Sequence, residues 1–196
     1  DYKYQRYMRD YAKVLKSLDD NVGRTLDHLR EAGLLENTLV VYTSDQGFYM
    51  GEHGWFDKRF IYEESLSTPL VMRLPEGLKA RGEIREMVQN IDYAPTFLDL
   101  AGAEIPADIQ GRSVLLKGKH PKDWRKAVYY HFYEFPAEHA VKRHYGIRTA
   151  DGWKLVHFYR DIDSWELFNL NEDPNELHNL YGQAGTEKIT RRLMKE

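Results

Sequence analysis

The sequence predicts an α/β fold that continues into a small antiparallel sheet with a closing helix. Three observations carry this. A long amphipathic segment is followed within a few residues by a β-branched apolar run. A second apolar run ends on Pro75 and Gly77. Beyond Trp124 the pattern changes to short aromatic runs separated by turn residues. Helix, turn and buried strand in succession are the grammar of an α/β sheet, whereas short strands at close spacing are that of an antiparallel one.

The first element spans Tyr4 to Ala32. Tyr4, Tyr7, Met8, Tyr11, Val14, Leu15, Leu18, Val22, Leu26 and Leu29 recur at helical spacing, Gly23 interrupts them, and Gly33 supplies a stop. Thr38–Thr43 and Thr68–Leu74 read as buried strands, with a Gly-, charge- and aromatic-rich loop over Ser44–Tyr62 between them. Met87–Gly102 reads as a strand start running into a helix, with Asp92 as cap and Pro95 in the first turn. Ala103–Trp124 reads as linker, punctuated by Pro106, Gly111, Gly118 and Pro121. Ala127–Tyr133, Tyr145–Thr149, Trp153–Tyr159 and Trp165–Leu170 read as strands, the middle pair joined through Ala150-Asp151-Gly152, and a helix starts near Glu187. The expected boundary therefore separates residues 1–124 from residues 125–196.

Composition narrows the function classes. A net charge of −3 with interspersed signs offers no basic field for nucleic acid, and no apolar run reaches the length of a membrane span. The absence of cysteine excludes disulfides, thiolate metal sites and cysteine nucleophiles within these 196 residues. Helical periodicity starts at the first residues, so the lack of a visible targeting segment carries no information. Aromatic residues reach 13%, which suits a sugar-handling surface but serves first to build cores.

The chemistry concentrates between Tyr42 and Arg59. This stretch begins where a strand ends, and α/β sheets place ligands at the carboxyl ends of strands. Asp45 and Gln46 offer a carboxylate and an amide oxygen, hard donors suited to Ca²⁺ or Mg²⁺. Gly47, Gly51 and Gly54 let the loop fold back, and Lys58 and Arg59 then bring cations towards an anion beside such a metal. Residue types and spacing alone also allow a turn aspartate, a loop His53 and a solvated Lys-Arg pair. A second polar segment, His131 to His144, gathers His131, Glu134, His139, Arg143 and His144 with aromatics between strands. It reads either as a sugar-contacting loop or as a variable surface loop.

The stretch Thr43-Ser44-Asp45-Gln46-Gly47 with Lys58 downstream resembles the late motif of sulfatases in the alkaline phosphatase superfamily. The resemblance extends through Leu18-Asp19-Asp20-Asn21-Val22-Gly23, Ala32-Gly33-Leu34-Leu35-Glu36-Asn37-Thr38, Thr68-Pro69-Leu70-Val71, Ile91-Asp92-Tyr93-Ala94-Pro95-Thr96, Gly111-Arg112-Ser113 and Trp165–Leu170 with Asp173-Pro174-Asn175-Glu176. It implies that residues 1–124 are the later part of an alkaline-phosphatase-like sheet, that Asp45 and Gln46 hold Ca²⁺, and that Lys58 binds the transferring sulfate. Asp57-Lys58-Arg59 with Tyr62-Glu63 resembles the N-acetylglucosamine-6-sulfatase branch. That implies a sulfated carbohydrate of glycosaminoglycan or mucin type, with His53, Arg59, His131, Glu134, His139, Arg143 and His144 as candidate substrate contacts.

Two departures matter. The family's formylglycine comes from Cys or Ser within Cys/Ser-x-Pro-x-Arg, yet Ser67-Thr68-Pro69-Leu70-Val71 has Val71 in place of the arginine and lies in the late strand. The formylglycine and the remaining metal ligands are therefore expected upstream, leaving this chain inactive alone, with an incomplete calcium site and an exposed edge that invites homodimers. Gln46 also stands where Asn or His is usual. A phosphoester or phosphonate hydrolase of the same superfamily, and a non-catalytic glycan-binding module, remain as alternatives. The resemblance, with no Asn-x-Ser/Thr sequon, implies a periplasmic or secreted bacterial protein, or a lysosomal one in an animal.

Overall fold

A computed structural model describes residues 2–78, 82–115 and 123–196. Gly118 and Pro121 of the expected linker lie outside them. The chain divides into two compact units, one of residues 1–43 and 70–82, the other of residues 44–69 and 83–196.

In the first unit, helix α1 spans Tyr2–Glu31 and hands over through Gly33, whose φ of 66° suits a residue without a side chain. Strands β1, Val40–Thr43, and β2, Leu70–Arg73, pair antiparallel with Val40 opposite Arg73. Arg73 ties β2 to the turn before β1, donating to the Leu35 carbonyl at 2.6 Å and to Glu36 at 2.9 Å. The expectation of two buried strands is corrected: Tyr42 is 41% and Val71 64% exposed within this chain. A ladder of only two short strands gives these side chains little surface to bury against. The apolar stripe of α1 is likewise exposed at Val14, Leu15 and Leu18.

The second unit holds the better-packed core. Strands β3 (Ala127–His131), β4 (His144–Thr149), β5 (Trp153–Phe158) and β6 (Ser164–Asn169) form a four-stranded antiparallel meander. The β4–β5 turn is the expected Ala150-Asp151-Gly152, with Gly152 at φ 90°. Alternation gives this sheet two different faces. Ile147, Leu155 and Leu167 pack with Leu193 of helix α4, Glu187–Leu193. On the other face, Val156 and Phe158 pack with Ile61, and Phe168 packs with Tyr49 and Tyr62. Residues 44–69 are thus built onto the terminal sheet, and that packing is why the compact units do not part at Trp124.

The second unit also holds helix α3, Tyr93–Leu100, entered through a short 3-10 turn at Asn90–Asp92; the strand expected before it does not form among the described residues. Asp92 is fully buried, closes a capping box with Gln89 and is held by both terminal nitrogens of Arg125, the Nη2 contact being 2.6 Å. Burial alone would raise the Asp92 carboxyl, but Arg125 and the backbone N–H groups of Gln89 and Arg112 outweigh it and hold it below the usual carboxylate range.

Candidate functional site

The loop that follows Thr43 is held by hydrogen bonds to its backbone carbonyls. The Ser44 hydroxyl donates to the Gln46 carbonyl at 2.8 Å, and the Asn90 amide donates to the Asp45 carbonyl at 2.8 Å. Asp45 is exposed, and its carboxylate meets only a long 3.4 Å contact from Ser44. The Gln46 side chain has no hydrogen-bond partner among the described residues. A free carboxylate and a free amide oxygen on adjacent residues are a fitting donor pair for Ca²⁺. They are also only two donors, whereas calcium takes about six or more oxygens. No group of three or more His, Asp or Glu able to hold a metal occurs among the described residues.

The chain then doubles back. Tyr49 N–H donates to the Asp57 carbonyl and Gly51 N–H to the Trp55 carbonyl, both at 2.8 Å, around a 3-10 turn at Glu52–Gly54. Fully buried Tyr49 anchors this hairpin, its hydroxyl reaching the Phe60 carbonyl at 3.1 Å. Helix α2, Glu63–Leu66, closes the arrangement. Gly47 N–H donates to the Ser65 carbonyl at 2.8 Å, and the Ser65 hydroxyl donates to the Lys58 carbonyl at 2.5 Å. A Cβ on Gly47 would come within 1.9 Å of the Glu64 carbonyl oxygen, so only glycine permits this approach.

Charge is distributed unevenly over Asp57-Lys58-Arg59. Asp57 accepts from Lys58 N–H at 2.6 Å and from Arg59 Nη1 at 2.5 Å. Arg59 also reaches Glu134 at 3.4 Å and His139 Nε2 at 2.5 Å, while its carbonyl accepts from Tyr130 at 2.6 Å. Burial works against the Arg59 charge, but Asp57 and Glu134 more than offset it and raise the guanidinium above its usual value. The Lys58 ammonium, by contrast, makes no ion pair or hydrogen bond with the described residues. Lys58 is therefore an unpaired cation among the described residues, while Arg59 belongs to a prepaired cluster.

Of the residues singled out from sequence, Arg59, Glu134 and His139 come together across 80 positions of chain. One histidine, His144, requires correction as a substrate contact, and the other two, His53 and His131, are held by neighbours within the chain. His144 is fully buried, stacked among Phe60, Tyr130, Phe132 and Phe158, with Nδ1 on the Lys142 carbonyl. It occupies the sheet face that packs on residues 44–69. His53 stacks on Tyr62 at 4.6 Å, with Nε2 buried 3.5 Å from Glu64. His131 lies on the opposite sheet face to Tyr130, with its ring nitrogens on the Tyr129 and Tyr159 hydroxyls. Arg143 pairs with Asp161 at 3.0 Å and lies over Phe135, apart from the Arg59 cluster. Sequence reading gave Asp57 no role beyond its place in Asp57-Lys58-Arg59, and passed over Asn90 and Ser65. Only Asp57 left a signal, as a carboxylate two residues before an arginine.

An exposed Asp45-Gln46 pair after a strand, and an unpaired Lys58 tied through Ser65 to the same short helix, fit the class that the comparisons show: part of an alkaline-phosphatase-superfamily protein. Residues 51–196 match the family described as N-sulphoglucosamine sulphohydrolase, C-terminal. The chain belongs to the sulfatase family. It is 54% identical to the N-acetylglucosamine-6-O-sulfatase of Bacteroides thetaiotaomicron over 99% of its length, which is 35% of that relative. A solved structure in complex with its substrate D-glucosamine-2-N,6-O-disulfate superposes with a TM-score of 0.91 at 55% identity, covering 99% of this chain and 40% of that one. The phosphonate monoester hydrolase of Silicibacter pomeroyi superposes with a TM-score of 0.75 at 30% identity, over 90% of this chain and 37% of that one. The chain thus spans well under half the length of these relatives.

Proposed function

We propose that this chain supplies the calcium- and sulfate-binding side of a sulfatase that removes the 6-O-sulfate of N-acetylglucosamine in glycosaminoglycan or mucin glycans. The observation that carries it is the free Lys58 ammonium in a loop hung, through Ser65, on the same helix as the Asp45-Gln46 loop. The relative named an N-acetylglucosamine-6-O-sulfatase, at 54% identity, supports the substrate class.

Asp45 and Gln46 would hold Ca²⁺ together with ligands from outside these residues. A calcium ion there would supply fixed positive charge against the sulfate oxygens, and a formylglycine from upstream sequence would supply the nucleophile. Lys58 places its ammonium against a sulfate oxygen, where negative charge changes most during transfer, so its contribution is larger in the transition state than in the bound substrate. Arg59, Asp57, Glu134 and His139 present donors and acceptors of both kinds, the set needed to read sugar hydroxyls. They fix the ring and thereby which ester reaches Lys58. Polymeric sulfated glycans are met outside the cytoplasm, which fits a periplasmic or secreted protein. Among the described residues no helix is long and apolar enough to cross a membrane.

The test is the ester preference of the full-length protein. With one leaving alcohol presented as sulfate, phosphate and phosphonate monoesters, the sulfate ester is expected to turn over fastest. Faster turnover of the phosphonate would move the protein to the phosphonate-hydrolase reading favoured by the Silicibacter pomeroyi likeness.

A further inference from the structure

The four-residue helix α2 is too short to be stable by itself. It is nevertheless the point where both functional loops attach. Gly47, directly after Asp45-Gln46, donates to the Ser65 carbonyl, and the carbonyl of Lys58 accepts from the Ser65 hydroxyl. Ser65 is buried.

What holds α2 is a charged group inside the core. The Lys154 ammonium on β5 is fully buried and donates to the Ile61 carbonyl at 2.9 Å. It lies 2.9 Å from Glu63 Oε1 and 2.7 Å from Glu176 Oε1. The other Glu176 oxygen accepts from the Glu63 N–H at 2.6 Å, capping the start of α2. Glu176 sits at φ 52°, an unfavourable conformation for a side-chain-bearing residue that is kept because its carboxylate is captured. A third tie runs from the Tyr62 hydroxyl to Glu166 on β6 at 2.6 Å. A hydrophobic replacement of a buried ion pair of this kind is often no less stable. The pair's clearest structural consequence is the fixed place of α2.

We propose that α2 is the positioning element of the sulfate site: Ser65 sets Lys58 against the Asp45-Gln46 loop, and the buried Lys154–Glu176 pair fixes α2 for that purpose. This rests on the reading of Lys58 as the sulfate-binding cation. Ser65, Lys154 and Glu176 touch no substrate; they act through Lys58 and Gly47. Loss of one anchor lets the ammonium drift from the sulfate while the loops stay folded on Tyr49 and Tyr62.

The experiment is a double-mutant cycle in the full-length protein, with kcat and KM measured on a sulfate ester. Ser65→Ala is expected to lower kcat about 10-fold, on the scale of a small misplacement of a catalytic group, with KM nearly unchanged. Ser65→Thr, which keeps the hydroxyl, should recover most of the rate. In a Lys58→Ala background Ser65→Ala should cost less than about two-fold, because the residue it positions is gone. Glu176→Gln should behave like Ser65→Ala per folded molecule. Should it fail to fold, the Ser65 cycle decides alone. A normal kcat in Ser65→Ala beside an impaired Lys58→Ala, or losses that simply multiply in the double variant, would overturn the proposal while leaving the sulfate reading standing. A normal rate in Lys58→Ala would instead remove the sulfate reading on which it rests.

Discussion

Arg59 Nη2 lies 2.5 Å from His139 Nε2, joining the loop after β1 to the segment between β3 and β4. The guanidinium can only donate, so the His139 nitrogen facing it accepts and carries no proton in this contact. Asp57 and Glu134 complete the cluster.

If this cluster reads the sugar as a unit, its members will not act independently. Arg59→Ala and His139→Ala should each raise KM for the glycan substrate about 10-fold, on the scale of a lost charge-assisted hydrogen bond. The double variant should be little worse than the poorer single one. Steady-state kinetics on the four proteins checks this. Independent, multiplying effects on KM would separate the two residues.

Gly47→Ala should be among the most damaging small substitutions. The added methyl would meet backbone oxygens of Glu64 and Ser67 at 1.9 and 2.7 Å, and backbone cannot step aside as a flexible side chain can. Displacing the Asp45-Gln46 loop should lower kcat about 10²-fold and weaken calcium dependence. Activity measured against calcium concentration would show both.

Much of the fold was legible because its signals are local. The Trp- and Tyr-rich runs of β3–β6, the Ala150-Asp151-Gly152 turn and the helix at Glu187 each announce themselves within a few residues. Helix α2 was not legible, since four residues carry no period. Nor was the antiparallel pairing of β1 with β2, because a short apolar run does not name its partner. In the site, Asp45, Gln46 and Lys58 stood out through the family's spacing. The histidines between His131 and His144 could be separated only by strand alternation. That alternation puts Tyr130 and Phe132 on the face shared with His144, and His131 on the other.

Burial of His144 pushes its imidazole below the ordinary value of 6.5, the Lys142 carbonyl pulling it only part of the way back. The folded protein therefore keeps His144 neutral where the unfolded chain takes up a proton. The unfolded state binds more protons below 6.5, so stability is full above that pH and falls as pH drops through it. The melting temperature should decline between about pH 7 and about pH 5. His144→Phe, which suits the aromatic stack, should flatten that slope. An unchanged slope would place its source elsewhere.

Removing Arg125 would strand the fully buried Asp92 carboxylate. Arg125→Met should cost about 3 kcal/mol, the scale of breaking a buried pair on one side. A lower melting temperature, partly restored in an Asp92→Asn, Arg125→Met double variant, is the expected outcome. Full stability of the single variant would show the pair to be dispensable.

The most direct test is sulfate release from N-acetylglucosamine-6-sulfate by the full-length protein, compared with its Lys58→Ala variant at saturating calcium. The expected result is calcium-dependent release by the parent protein and a kcat about 10²-fold lower in the variant. Arg59→Ala should lose much less in kcat than Lys58→Ala. Release by Lys58→Ala at the parent rate, or no release by the parent protein with calcium present, would contradict the assignment of this loop to a sulfatase active site.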